Sequence, residues 1–327
     1  MGTYSGIPDN TAVSDGVHLL VPFASCAGPA FQEALRGLRL PNLQRLLRRL
    51  GVEGTDAGKP ESLSAPHERA LARACGLPVE DGLVPLAALA AQQAGQDPGH
   101  QGCGWITPTH LRVGRDRIDM ALPQDLQLDA EDSRALLEAM RPYFEEDGIA
   151  LAYDAPLRWL ARGEMFRRLP TASLDRVTGR TIDHWMPAGD AARPVRRLQQ
   201  EMQMLLYTLP LNDARERGGL LPVNSFWVSG TGALPGSVAL PGGLQVTPYL
   251  RDTALRGDIP GWVAAWQQLD ARDGVRLLGE LDRGRKVRVT LCGEAGSRTW
   301  SSTVQGAWRR LAGLFSRPAP AALLEGL

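Results

Sequence analysis

Residues able to do chemistry are spread thinly along this chain. The five histidines, His18, His67, His100, His110 and His184, show no HExxH or similar spacing that would aim a pair at one metal ion. The four cysteines stand at 26, 75, 103 and 292. No CxxC pair exists, which argues against a zinc site of that kind, and the four read as reduced thiols. Cys26 with a histidine could form a thiol–base pair, but it follows an apolar run and burial is expected there. Ser62 and Ser64 precede a helical pattern that opens at Pro66. A hydroxyl at that place meets free N–H groups and the positive end of the helix dipole, which suits a phosphate. The same groups suit an ordinary N-cap, and a serine without a base or metal is a poor nucleophile. Asn212 and Arg215 are expected to fix the loop before a late strand, while Asn224 and Ser225 lie in an apolar run and must find hydrogen bonds. These four are either structural or the lining of a cleft. Gly230-Thr231-Gly232 reads as a tight turn, or as an anion cradle lacking the third glycine of a dinucleotide fingerprint. Asp183-His184 has the right types for a ligand pair, but its place before a long helix reads as a surface or capping pair.

The elements that must position these residues alternate. Val17–Ala24 (VHLLVPFA) is a buried strand broken by Gly28-Pro29. Leu43–Leu50 carries leucines at helical spacing after a Pro41-Asn42 start. Gly51–Ser62 reads as a loop, Pro66–Cys75 as a helix ending at Gly76, and Leu86–Ala94 as another helix. Gly95–Gly104 is a boundary. Trp105–Val113 and Asp116–Leu122 then look like a hairpin, Ala130–Glu145 like an amphipathic helix, and Ile149–Leu160 like paired strands. This run of about 60 residues is enough for a small α+β unit. A long helix over Ala191–Tyr207, a strand over Leu220–Ser229, a helix over Trp262–Asp270 and a strand over Arg285–Cys292 follow. The fold class expected is α/β, a doubly wound, mostly parallel sheet with a small inserted α+β domain. The expected division is 1–104 and 186–327 for the core and 105–185 for the insertion. The tail after Pro318 is expected to be loose.

The composition narrows the partners. In 327 residues, 36 basic side chains meet 36 acidic ones, so no global charge draws the chain to nucleic acid or an anionic membrane. All but Lys59 and Lys286 of the basic residues are arginine. With 43% hydrophobic residues, the chain has enough apolar side chains to fold. No apolar run nears the roughly 18 residues of a membrane span, and the opening residues lack a signal-peptide order. A cytoplasmic protein is expected.

Three segments resemble one family. Leu38–Gly51 (LRLPNLQRLLRRLG) is similar to the alkaline-phosphatase superfamily segment in which Pro-Asn-Leu opens a helix after the first strand. Thr107–Gly163 resembles the inserted domain of the archaeal-type cofactor-independent phosphoglycerate mutase, with Pro-x-His-Leu-Arg, hairpin, acidic helix, Asp-Gly, strand and Leu-Arg-Trp-Leu in order. Leu209–Gly232 (LPLNDARERGGLLPVNSFWVSGTG) resembles that family's Pro-x-Asn, strand and Gly-x-Gly segment. The chain also looks similar to bacterial mutase-like or RpfE-type regulatory proteins.

The resemblance implies an alkaline-phosphatase-like core. It also implies phosphate transfer between the two hydroxyls of glycerate through a phosphoserine, with two divalent metals. It puts the nucleophile near Ser62 or Ser64 and matches Arg112 and Arg158 to arginines offered to a phosphorylated substrate. The family's Asp after the first strand falls here on Phe23-Ala24-Ser25-Cys26, and no histidine follows His184. After the last strand the sequence reads Cys292-Gly293-Glu294. The expectation is therefore a mutase-like protein that has lost the dimetal site and acts as a non-catalytic binding or regulatory protein, without a cofactor. Its partner would be a small phosphorylated or carboxylated metabolite at Arg112, Arg158, Asn212, Arg215, Asn224 and Ser225, or another protein. The alternatives are an active phosphoryl-transfer enzyme with an altered site, using manganese or magnesium, and a protein-interaction scaffold.

Overall fold

The structure, a computed structural model, describes residues 16–304 together with Leu324 and Leu327. Apart from those two leucines, the tail expected to be loose after Pro318 lies outside the described residues. From residue 16 the chain forms β1 (Gly16–Val21), α1 (Pro29–Gly37), α2 (Pro41–Arg48), β2 (Gly51–Asp56) and α3 (Pro66–Ala74). It continues through α4 (Leu86–Gln93), β3 (Cys103–Thr109), β4 (Leu111–Val113), β5 (Ile118–Met120), α5 (Ala130–Glu146), β6 (Ala150–Ala155) and β7 (Arg158–Arg162). Then come α6 (Leu174–Val177), α7 (Arg193–Tyr207), α8 (Pro210–Arg217) and β8 (Ser225–Gly232). The last elements are β9 (Leu244–Val246), α9 (Arg251–Leu255), α10 (Ile259–Leu269), α11 (Val275–Asp282), β10 (Lys286–Cys292) and β11 (Ser297–Ser301). Among the described residues no helix is long and apolar enough to cross a membrane.

The chain divides into two compact units. The first runs to Cys75 and resumes at Ala239, and the second is Gly76–Val238. The second unit is wider than the 105–185 insertion expected from the sequence. The reason is β8, which pairs antiparallel with β3 (Thr107 opposite Trp227, Thr109 opposite Ser225) instead of joining the first unit's sheet.

The first unit holds a sheet ordered β2-β11-β10-β1-β9. β1 runs parallel to β10 and β9, and β11 is antiparallel to both β10 and β2, so four strands share one direction. Alternation sets the two faces. Val17, Leu19, Val21, Val287, Val289, Leu291 and Trp300 point into an apolar cluster with Leu35, Leu43, Leu46, Trp262, Trp266 and Leu277 of the helices. His18, Arg288, Thr290, Ser297 and Thr299 alternate with that set and so face the other way, where α3 packs. β2, read from the sequence as part of a loop, is an edge strand whose central residues are exposed. Asp270, in a π turn between α10 and α11, accepts hydrogen bonds from the backbone N–H of Asn42 and Leu43 (3.3 and 2.7 Å) and from Asn42 Nδ2 (3.0 Å). A buried carboxylate thus satisfies the N–H groups that open α2, with the favourable dipole sign.

The second unit is an antiparallel sheet, β6-β7-β3-β8, with a small β4-β5 ribbon. Ile106, Trp159, Phe226 and Val228 pack one face against Leu136, Leu137, Met140 and Phe144 of α5 and Leu198 and Met202 of α7. Asp129 caps α5 by accepting from Asp132 N–H at 2.8 Å.

Candidate functional site

The carboxyl ends of parallel strands are where open α/β sheets place ligands. Here the loop after β1 is tied into the protein. Phe23 has φ of 57°, unusual for a bulky residue. Its carbonyl accepts from Trp262 Nε1 at 3.0 Å, its ring centroid lies 5.4 Å from that of His67, and Ala24 N–H donates to Cys292 O at 2.7 Å. After β10, Gly293 N–H donates to Gly296 O, and Glu294 N–H to Leu327 O at 3.1 Å. A Cβ on Gly293 would sit 2.5 Å from Leu327 backbone atoms, so only glycine lets that segment approach. Leu324 and Leu327 join the apolar cluster of the unit.

A two-metal centre needs several Asp, His or Glu donors converging. In loops 22–28 and 292–296 the one carboxylate is that of Glu294. Among the described residues no three His, Cys, Asp or Glu side chains are placed to hold an ion. The residues at these strand ends do not fit such a centre.

The sequence candidates fall mostly into local scaffolding. Ser62 accepts from Lys59 N–H at 3.3 Å in a turn, and the Ser64 carbonyl accepts from Arg69 Nη1 at 2.6 Å. Neither serine is the N-cap expected for α3. That position is Ala65, whose N–H is satisfied by the Glu68 carboxylate at 3.0 Å. Asn212 and Arg215 sit on α8, a helix where a loop was expected. Asn212 Nδ2 donates to Leu206 O and Val223 O, and its Oδ1 accepts from Val223 N–H. Arg215 binds Asp132 at 2.9 Å, Leu221 O at 3.2 Å and Leu126 O. Asn224 clasps the N–H and C=O of Leu111 at 2.8 and 2.9 Å. Ser225 is buried, and its hydroxyl and that of the opposite Thr109 have no hydrogen-bond partner among the described residues. Arg112 is exposed on β4, and Arg158 pairs with Asp154 at 2.5 Å with its guanidinium 5.7 Å from the Trp105 ring. Gly230-Thr231-Gly232 is the end of β8, not a turn. Thr231 Oγ1 donates to Leu169 O at 2.7 Å, and a Cβ on Gly230 would lie 2.7 Å from the Trp105 ring. Asp183 accepts from Ile118 N–H at 3.2 Å, and so anchors the edge of the β4-β5 ribbon.

The first unit has a cavity of about 340 Å³ between α3 and the polar face of the sheet. Its floor is a chain of hydrogen bonds across three strands. His18 Nε2 lies 2.8 Å from Thr290 Oγ1, which lies 2.9 Å from Thr299 Oγ1. Its walls carry two ion pairs. Arg288 grips Glu53 through Nε and Nη2 at 2.7 and 2.5 Å. Arg73 meets Asp56 at 2.8 Å, and Asp56 is also held by Arg69 Nε at 2.8 Å. Burial, helped by the positive charge of Arg288, pushes the His18 imidazole down to about 3, so the ring is neutral at physiological pH. Burial works to raise the Asp56 carboxyl, but hydrogen bonds from Arg73 and Arg69 outweigh it and hold it below its ordinary range. Burial drives the Cys292 thiol well above its usual range, so it offers no nucleophile. Sequence reasoning missed this site. The available signal was the alternation Arg288, Thr290, Cys292 and Ser297, Thr299, Ser301, polar on one face of strands whose other face is apolar.

No protein-family model and no curated protein matches the chain. Solved structures similar to it include the cofactor-independent phosphoglycerate mutase of Thermoplasma acidophilum, at 14% identity over 88% of this chain and 89% of that one, with a TM-score of 0.35. They also include the PH0037 protein of Pyrococcus horikoshii, at 12% identity over 88% of each chain, with a TM-score of 0.45.

Proposed function

We propose that this chain, built on a mutase-like α/β framework, works by binding a small polar metabolite and not by dimetal phosphoryl transfer. The observation that carries this reading is the composition of the strand ends. On the resemblance, Phe23-Ala24-Ser25-Cys26 and Cys292-Gly293-Glu294 stand where the family draws its metal donors, with Glu294 the one carboxylate among them, and backbone and ring contacts tie these loops into the protein. A ligand bound without turnover also suits a regulatory role. Manganese or magnesium belongs only to the alternative, an enzyme with an altered site. That alternative needs carboxylates clustered at Ser62 or Ser64; Glu61, beside Ser62, is exposed, and Glu68, in the first turn of α3, is bonded to Ala65 N–H. An anionic ligand at Arg112 and Arg158 would have to compete with Asp154 for the second arginine.

Metal content and turnover of 3-phosphoglycerate, measured on one purified sample with manganese added, test the reading. The expected result is neither stoichiometric metal nor 2-phosphoglycerate. Two ions per chain together with product would overturn it.

A further inference from the structure

The cavity beside α3 has two properties that together select a ligand. The first is that its charges are already paired. Arg288 is held by Glu53, Asp56 is shared by Arg73 and the buried Arg69 behind the wall, His18 is neutral, and each ionised wall group already has its counter-ion. An anion entering here would have to displace a carboxylate from an arginine, and a cation would have to displace an arginine from a carboxylate. Either exchange breaks an ion pair already made at the cavity wall. A net-neutral guest avoids that cost.

The second property is the reversible floor. If His18 Nε2 carries the proton, it donates to Thr290 Oγ1, Thr290 donates to Thr299 Oγ1, and Thr299 offers its hydrogen onward. If Nδ1 carries the proton, every bond turns round and the Thr299 oxygen is left as an acceptor. The chain can thus present a donor or an acceptor at its open end for the same geometry. A carboxylate or a fully ionised phosphate ester can only accept, and an ammonium can only donate. A hydroxyl does both, and matches such a floor in either state. The volume, about 340 Å³, is at the lower end of small-molecule pockets.

We propose that this cavity is a binding site for an uncharged, polyhydroxylated small molecule, a sugar or polyol, whose hydroxyls bond the His18–Thr290–Thr299 chain between the Arg288–Glu53 and Arg73–Asp56 pairs. The proposal deepens the binding reading and rests on it for its biological sense. Its test is separate, because metal-dependent turnover would sink that reading without touching the result below.

The test is a titration of the full chain, followed by saturation-transfer NMR and calorimetry, with a panel of neutral monosaccharides and polyols including glucose, glycerol and myo-inositol. Alanine serves as the zwitterionic probe and 3-phosphoglycerate as the anionic one. At least one neutral member is expected to bind with an affinity that does not change between low and high salt. Thr290→Val and Thr299→Val should each weaken it roughly five- to tenfold, the size of one hydrogen bond. Should a variant fail to fold, the salt series on the unaltered protein still decides. Salt-sensitive binding of the anion or zwitterion alone would overturn the proposal. So would neutral binding untouched by both folded variants, or no binding across the neutral panel.

Discussion

Asn212 shows how polar side chains are used inside this protein. Its amide bridges the end of α7 to the approach to β8 through three buried hydrogen bonds. Replacing it with alanine leaves Leu206 O and the Val223 backbone groups short of partners, which costs about 2–3 kcal/mol. Urea unfolding of Asn212→Ala should show that loss in the midpoint, with little change in slope. His18 makes a pH prediction. Its folded value, about 3, lies below the ordinary 6.5, so between those values the unfolded chain holds the extra proton. Its contribution is present above pH 6.5 and is lost as pH falls, at most about 1.4 kcal/mol per pH unit. Asp56, also held low, adds its own loss once the pH drops through its folded value. Unfolding free energies measured from pH 7 to 4 should fall less steeply in His18→Asn than in the unaltered protein. The Cys75 thiol is pushed up to about 11 by burial. At pH 8 its thiolate fraction is therefore on the order of one in a thousand, and labelling should quicken about tenfold per pH unit up to pH 10. None of these roles is visible in the residue types alone. Asn212, His18 and Cys75 take their behaviour from neighbours that are distant in sequence or from burial.

Elements with strong periodicity were legible. The leucine spacing of α2, the amphipathic stripe of α5 and the branched runs of β1 and β10 lie within a few residues of where the pattern sets them. β2 was not, because Gly51–Asp56 (GVEGTD) is an exposed edge strand whose order comes from pairing with β11, not from alternation. β11 (SRTWS) is largely polar and sits inside the sheet, where a sequence pattern would look for apolar residues. β8 was found as a strand but assigned to the wrong sheet, since propensity carries no information about partners. Its end makes the sharpest prediction at this scale. Gly230 has φ of 63°, and a Cβ there would press on the Trp105 ring and approach the Ala87 N–H. Gly230→Ala should cost about 3 kcal/mol or more, read as a fall in thermal midpoint, through combined backbone strain and overpacking. A Gly230→Ala protein as stable as the parent would show that β8 and α4 can move apart cheaply.

At the scale of the molecule, each unit has its own apolar cluster and its own sheet. Residues 76–238 form one uninterrupted stretch, so expressed alone they should melt cooperatively by circular dichroism. A broad, non-cooperative melt would mean that this core is insufficient by itself. The first unit differs, because β1 lies between β9 and β10, both of which come from the far side of the second unit in sequence. On the ribosome, β1 and its Leu19-Leu20-Val21 run leave the exit tunnel with neither neighbour yet made. At ordinary elongation rates the wait is on the order of ten to forty seconds, ample time for residues 76–238 to fold first. The nascent chain therefore carries an unpaired, apolar central strand through most of its own translation, and that strand is the natural place for a chaperone to hold it.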